Sequence, residues 1–113
     1  MGVRVEKQGD IAIVAPDGSF FGGKETDELD RVLKGLQTED NKKAVLDLGK
    51  VSHLNSIAIG LLVGCYTNYK NRGGRIILAN VDRRIENVFV ITKLSLVFEI
   101  AASREEALKT LGA

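Results

Sequence analysis

The sequence contains few residues that could build a covalent or metal-bound framework. Only one of its 113 residues is a cysteine, which excludes an internal disulfide and fits a reducing compartment such as the cytoplasm. The single histidine, His53, has no companion at metal-ligand or catalytic-triad spacing, and we interpret it as a surface-loop residue. A chain of this length can bury roughly two-thirds of its unfolded surface. We therefore expect one domain, residues 1–113, that folds without a disulfide, metal or cofactor.

Long apolar runs and clustered charge are also missing. No apolar segment approaches the ~20 residues needed to span a bilayer, and the first residues show no signal-peptide pattern. The formal net charge is only +1, with acidic and basic residues interspersed, whereas nucleic-acid-binding proteins usually present a clustered basic face. We therefore predict a cytoplasmic protein that neither inserts into a membrane nor binds nucleic acid.

What the sequence does contain is an alternation of strand and helix patterns, which predicts an α/β fold. After an N-terminal hairpin, strands and helices alternate, and this calls for a mostly parallel small sheet with right-handed crossovers and helices packed on it. Pro16, Asp17 and Gly18 are expected to end the second strand. The predicted order is ββαβαβαβα, with strands at 3–8, 11–15, 44–48, 75–79 and 96–100 and helices at 24–36, 56–72, from 80 or 82 to 91, and 103–111.

Residues 45–60 form the most informative segment. They predict a buried strand, a short loop, and then Asn55-Ser56 at the start of a strongly apolar helix. A hydroxyl at a helix start is exposed enough to be modified, and the positive potential there suits a phosphate. A serine in this position is more often an ordinary N-cap, so Ser56 is a candidate switch beside that alternative. Within the helix, Gly60 and Gly64 predict close packing on the sheet.

Several motifs along the chain belong together. An apolar strand ending in Asp47-Leu48, a short loop, and Asn55-Ser56 opening a long helix form one distinctive stretch, and Gly73-Gly74 precedes the next strand. Segments 88–97 and 103–108 extend the pattern toward the C-terminus. Over essentially the whole chain these motifs resemble a STAS domain and, more narrowly, the bacterial anti-sigma factor antagonists. The resemblance implies the STAS fold and a regulatory binding protein rather than an enzyme.

The same resemblance implies a phosphoswitch that has no catalytic residues, metal or cofactor of its own. In this family the serine at the position of Ser56 is phosphorylated by an anti-sigma factor with a histidine-kinase-like ATPase domain. A PPM-type serine phosphatase removes the phosphate. The unphosphorylated form binds the anti-sigma factor and frees the sigma factor, so that transcription is regulated.

Three stretches depart from the family pattern. Asn55 replaces a commoner aspartate, Ile57-Ala58 replaces a small polar residue and a glycine, and residues 19–23 replace a loop of the Gly-Glu-Leu-Asp type. The loop at 19–23 and the loop before Ser56 should leave a parallel sheet at the same edge. Of the two aromatic residues in the first loop, we expect one to pack inside and the other to offer a binding anchor. The predicted partner-binding residues are Ser19, Phe20, Phe21, Gly22, Asn55, Ser56 and Ile57.

Two other functions are weighed against this one. A STAS scaffold that is never phosphorylated, such as a stressosome-like subunit or a lipid-transporter accessory protein, would fit the bulky Ile57 beside the serine. An α/β enzyme that binds or hydrolyses nucleotides would need a Gly-rich phosphate loop followed by Lys and Ser or Thr. The sequence lacks such a loop, which favours a binding module over an enzyme.

Overall fold

A computed structural model describes residues 2–113, and within them the chain folds into a mixed sheet flanked by helices. The strands are β1 (Gly2–Gln8), β2 (Ile11–Phe20), β3 (Lys43–Asp47), β4 (Lys50–Leu54), β5 (Arg75–Ala79) and β6 (Glu99–Ala101). The α-helices are α1 (Lys24–Thr38), α2 (Ser56–Asn71), α3 (Arg83–Ile91) and α4 (Arg104–Thr110). A short 3-10 helix (Leu94–Leu96) lies between α3 and β6.

The sheet begins with an antiparallel hairpin and continues with parallel strands in the order β1-β2-β3-β5-β6. β2 is long enough to have two parallel neighbours, because residues 11–14 pair with β3 and residues 17–20 pair with β4. The end of β2 lies beside the end of β4, with Phe20 opposite Leu54. The segments that follow these two strands therefore leave the sheet at the same edge, as predicted.

Two predictions about this region are wrong. Pro16 and Gly18 do not end β2, which continues to Phe20, and the expected loop before the central helix contains strand β4. Pro16 falls between Val14, the last residue paired with β3, and Asp17, the first residue paired with β4. Pro16 stays paired with Val3 of β1, and a proline, which has no N–H to donate, is tolerated where the ladder with the parallel neighbours is interrupted. The observed order of elements is therefore ββαββαβαβα.

Three helices pack on one face of the sheet and the fourth packs on the other. α1 buries Leu29, Leu33 and Leu36, which have the spacing of an amphipathic helix. These residues join buried residues of α2 and α3 in one core cluster. On the opposite face, Ala107 and Leu111 pack against apolar residues of β2, β3 and β5. This packing fixes α2, whose first residues form the candidate site.

The central helix, α2, differs from its prediction in one respect. Cys65 is buried and packs as a small hydrophobe, and this burial raises the pKa of its thiol to about 11. Gly60 and Gly64, by contrast, are exposed, and a Cβ at either would meet no atom within 4 Å. Their predicted packing on the sheet is wrong because they lie on the solvent face. Even so, within residues 2–113 no helix is both long and apolar enough to cross a bilayer.

α3 and α4 begin at predicted positions, the former at the second of its two predicted starts, 80 and 82. Asp82 caps α3 and Ser103 caps α4, each by accepting a hydrogen bond from a backbone N–H in the first turn. The last strand starts later than predicted, at Glu99. Lys93 adopts left-handed backbone with φ of 63°, and this turns the chain out of α3 into the 3-10 helix before β6 begins.

Candidate functional site

The N-cap of α2 is Asn55 and not Ser56. The Asn55 side-chain oxygen accepts a hydrogen bond from the Ala58 N–H at 3.1 Å, and asparagine is among the most favourable N-cap residues. Ser56 is the first residue of the helix and is exposed. The alternative that Ser56 is an ordinary cap is therefore wrong, because the neighbouring residue performs that task.

Asn55 also ties the start of α2 to the end of β2. Its side-chain Nδ2 donates to the carbonyl oxygen of Phe21 at 2.8 Å, and its backbone N–H donates to the carbonyl oxygen of Phe20 at 3.1 Å. An aspartate could serve as the cap but has no N–H to donate when ionised. Asparagine at position 55 thus makes a contact with the loop at 19–23 that an ionised aspartate could not make.

Phe20, the last residue of β2, and Phe21, the residue after it, differ in burial, as the alternation of side chains along a strand would predict. Phe20 is completely buried in the main core cluster, so its ring offers no surface to a partner, contrary to its place among the predicted partner-binding residues. Phe21 is 57% exposed, and its ring lies 5.7 Å from the ring of His53 between centroids. The expectation that one of the two aromatic residues packs inside is confirmed by Phe20, and the binding role of the exposed one, Phe21, stays a prediction.

Gly22 and Ile57 are in close contact. Gly22 has φ of +93°, and a Cβ built on it would lie 2.8 Å from Cδ1 of Ile57. The backbone N–H of Gly22 donates to Oγ1 of the buried Thr26 at 2.8 Å. Ile57 is nevertheless 61% exposed. We refer to Phe21, Gly22, Ser56 and Ile57 as the Ser56 surface.

Polar side chains of β2 and β4 lie next to this surface. The hydroxyls of Ser19 and Ser52 are 2.8 Å apart, and the Ser19 hydroxyl is 3.4 Å from Nδ1 of His53. His53 belongs to β4 and not to a loop as predicted. The participation of Ser52 and His53 was missed because β4 itself was missed, although Val51 and Leu54 around them hint at a strand.

The start of α2, at Asn55 and in the first turn, carries no charged side chain of its own. The first turn of α2 contains no acidic residue, and the cap is a neutral amide. The partial positive charge at the helix start is therefore not neutralised by a neighbouring carboxylate. A negatively charged group on Ser56 would gain from this potential without meeting like charge in its own helix turn.

A second polar cluster surrounds Asp47, at the end of β3. The Asp47 carboxylate accepts hydrogen bonds from the Gly49 N–H at 2.9 Å, Asn80 Nδ2 at 3.1 Å and Arg104 Nε at 2.9 Å. Burial alone would raise the pKa of Asp47, but these bonds outweigh it and lower the pKa below its ordinary value. Asp47 borders a cleft of about 440 Å³, none of whose lining residues belongs to the Ser56 surface. We interpret this cluster as structural.

Among residues 2–113, no group of three or more His, Cys, Asp and Glu side chains is placed to hold a metal ion. The arrangement around Ser56 offers an exposed serine with an exposed apolar surface beside it.

Comparison with known proteins finds one matching family and two similar proteins that share one name. Residues 2–107 match the family model described as STAS domain. The Anti-sigma-B factor antagonist of Bacillus subtilis (strain 168) is 34% identical over 58 residues, covering 51% of this chain and 53% of that protein. The protein of the same name from Listeria monocytogenes serovar 1/2a is 30% identical over 73 residues, covering 62% of this chain and 64% of that protein. The chain thus spans between about half and two-thirds of these relatives.

Among the solved structures that share this fold is one that matches nearly the whole length of both chains. The Bacillus cell fate determinant SpoIIAA, in its phosphorylated form, superposes with a TM-score of 0.76 at 17% sequence identity. The match covers 97% of this chain and 99% of SpoIIAA.

Proposed function

The chain belongs to the STAS domain family, and from that premise we propose that it is an anti-sigma factor antagonist controlled by phosphorylation of Ser56. It binds an anti-sigma factor that carries a histidine-kinase-like ATPase domain while Ser56 is unmodified, and releases it once Ser56 is phosphorylated. A PPM-type serine phosphatase restores the binding form. Support comes from two curated relatives named Anti-sigma-B factor antagonist and from SpoIIAA, a protein of this fold described in a phosphorylated form.

The observation that carries the proposal is the position of the Ser56 hydroxyl. It is exposed on the first residue of α2, while Asn55 makes the cap. A kinase can therefore reach the hydroxyl without breaking the helix start. The phosphate that it adds would lie at the positive end of the helix.

The energetics favour a switch that acts on binding and leaves the fold intact. A phosphate adds about −1.5 to −2 charges, and the helix start offsets part of this by roughly 0.3–1 kcal/mol. A partner covering Ser56 would have to bury an unpaired dianion, which costs several kcal/mol. A penalty of only about 2.7 kcal/mol weakens binding a hundredfold. Phosphorylation can therefore release the partner without a conformational change.

One observation favours a second function. Ile57 directly follows Ser56, is 61% exposed, and places a bulky apolar group beside the hydroxyl that a kinase must approach. In that alternative the chain is a STAS scaffold whose partner-binding surface is never phosphorylated, and Ser56 is only part of the contact area.

Two measurements test the proposal. Purified anti-sigma factors with a histidine-kinase-like domain from the source organism are titrated against wild type, Ser56→Ala and Ser56→Asp. We expect wild type and Ser56→Ala to bind and Ser56→Asp to lose about a hundredfold in affinity, as expected for an unpaired charge in the interface. Thr67→Asp, which adds the same charge to an exposed hydroxyl position of the same helix, serves as the matched control and should bind like wild type.

Incubation with the bound kinase and ATP, followed by intact mass measurement, separates the two functions. One added phosphate on wild type and none on Ser56→Ala supports the phosphoswitch. Binding without any phosphate transfer supports the scaffold. If Ser56→Ala and Ser56→Asp bind equally well, the proposed switch is wrong.

A further inference from the structure

The Ser56 surface contains two large apolar side chains that a folded chain would ordinarily cover. Phe21 is 57% exposed and Ile57 is 61% exposed. They belong to one continuous surface, because Asn55, next to Ser56, binds the Phe21 carbonyl, and Ile57 lies against Gly22. We propose that Phe21 and Ile57 provide most of the affinity for the partner and select one with an apolar recess, whereas Ser56 acts only as the switch. This inference rests on the proposed function.

The backbone around Phe21 is held in place by three hydrogen bonds. Asn55 binds the carbonyl groups of Phe20 and Phe21 at 3.1 and 2.8 Å, and Thr26 accepts the Gly22 N–H at 2.8 Å. The Phe21 ring additionally lies beside the His53 ring. A surface ordered before binding loses little conformational entropy when the partner arrives. Such preordered aromatic and aliphatic anchors are typical of the few residues that dominate binding energy.

The lack of charged side chains at the start of α2 restricts the partner further. The cap is a neutral amide, and the first turn of α2 has no acidic residue. A partner that placed a charged side chain against Phe21 and Ile57 would bury it without a counter-ion from this turn, at considerable cost. The complementary recess is therefore apolar. An apolar recess also has no group that could neutralise a phosphate on Ser56. The contact that binds the unmodified chain would therefore be weakened by phosphorylation.

The other large group of exposed apolar side chains provides a built-in comparison. Ile91 and Leu96 are 81% and 84% exposed, more than Phe21 or Ile57, and lie at the end of α3 and in the 3-10 helix. Both residues belong to elements other than β2 and α2, which flank and carry the Ser56 surface. If exposure alone determined binding, changes at Ile91 and Leu96 would matter most.

The experiment uses the purified anti-sigma factor that binds Ser56→Ala in the titration described above. Its affinity is measured for the full chain carrying Phe21→Ser, Ile57→Ser or both, with Ile91→Ser and Leu96→Ser as matched controls. We expect each single change at the Ser56 surface to weaken binding at least tenfold and the double change at least a hundredfold. The controls should stay within twofold of wild type. Thermal unfolding of each variant shows that it is folded, and Phe21→Leu should restore part of the affinity.

The outcomes separate this inference from the proposed function. If Ser56→Asp loses the partner but Phe21→Ser and Ile57→Ser bind like wild type, the inference is wrong and the proposed function stands. Equal losses in the Ile91→Ser and Leu96→Ser controls also overturn it, because the Ser56 surface is then not the selective contact. If neither wild type nor Ser56→Ala binds any anti-sigma factor, the proposed function fails and the inference fails with it.

Discussion

Asp47 and Asn55 lie at the ends of two strands that share β2 as a neighbour, and the fold uses them in opposite ways. The Asp47 carboxylate is occupied by donors from Gly49, Asn80 and Arg104. The Asn55 side chain also forms hydrogen bonds. Because Asn55 caps the helix, the next residue, Ser56, is exposed and its hydroxyl is not needed as a cap. An acidic residue with a perturbed pKa is thus structural here, and the neutral junction is the candidate site.

This contrast shows where reactivity can be placed in a small domain. The charged group at the Asp47 junction is paired because a half-buried carboxylate without donors would be costly. At the Ser56 junction the cap is neutral, so no buried charge has to be paired and the surface can stay open. The three departures from the family pattern form one unit there, since Asn55 contacts the loop at Phe21, and Ile57 contacts it at Gly22.

The largest expected effect is the loss of the Asp47 side chain. Asp47→Ala should lower the free energy of unfolding by about 2–3 kcal/mol, because the Gly49 N–H, Asn80 and Arg104 lose a shared acceptor in a half-buried place. Ser56→Ala should change it by no more than about 0.5 kcal/mol, as expected for an exposed position. Urea denaturation measures both. Equal losses of unfolding free energy in Asp47→Ala and Ser56→Ala would contradict this difference between the two junctions.

The next effect in size concerns the two hydrogen bonds of the Asn55 side chain. Asn55→Ala removes the cap and the bond to Phe21, and should cost about 1–2 kcal/mol of stability. Asn55→Asp keeps the acceptor for the Ala58 N–H but loses the donor, and should cost about 1 kcal/mol. Denaturation gives the stability, and amide NMR shifts of residues 20–22 report on the loop.

The change Asn55→Asp is the sharper test. With aspartate at position 55 the chain should be less stable than with asparagine. If Asn55→Asp is as stable as wild type and leaves residues 20–22 unchanged, the bond to the Phe21 carbonyl does not hold the loop.

A glycine at each junction provides a smaller and more local test. Gly22→Ala places a Cβ at φ of +93° and 2.8 Å from Ile57, so it should cost about 1 kcal/mol and displace Ile57. Gly49→Ala would bring a Cβ 3.1 Å from Asp47 Oδ1 without left-handed backbone, and should cost somewhat less than about 1 kcal/mol. Urea denaturation measures the stability of the Gly22→Ala and Gly49→Ala variants, and the partner titration measures their affinity.

Only the change at Gly22 should also weaken partner binding, because only it moves the Ser56 surface. A loss of affinity in Gly49→Ala at unchanged stability would show that the two junctions are not independent.

Local patterns predicted the helices and most of the sheet, because these depend on periodicity and caps within a few residues. α1 begins at the predicted residue, Lys24, and the caps of α3 and α4 are Asp82, one of two predicted starts, and Ser103, the predicted start. β4 was missed because three of its five residues, Lys50, Ser52 and His53, are polar, and such a short segment gives a weak strand signal. The continuation of β2 through Pro16 depends on β4 and was missed with it.

At the site, the sequence identified Asn55-Ser56 but could not assign their roles. Both residue types are good N-caps, and only the bond from the Ala58 N–H to the Asn55 side chain decides between them. The donor role of Asn55 depends on Phe21, 34 positions away in the sequence. The opposite burial of Phe20 and Phe21 follows from strand periodicity once β2 is known to include Phe20.

The smallest effect is the acid dependence of the Asp47 junction. Burial tends to raise the pKa of Asp47, but the bonds from Gly49, Asn80 and Arg104 outweigh it, so the folded pKa lies below the ordinary value. A carboxyl with a lowered folded pKa stabilises the fold above the unfolded pKa of about 3.9, and this contribution is lost as the pH falls through the folded pKa. Below about pH 4 the stability of wild type should therefore fall more steeply than that of Asp47→Asn, which cannot titrate there. Ser56→Ala, measured by denaturation over the same pH series, should run parallel to wild type. Parallel curves for wild type and Asp47→Asn would mean that the carboxylate at this junction is no better stabilised in the folded chain than in water.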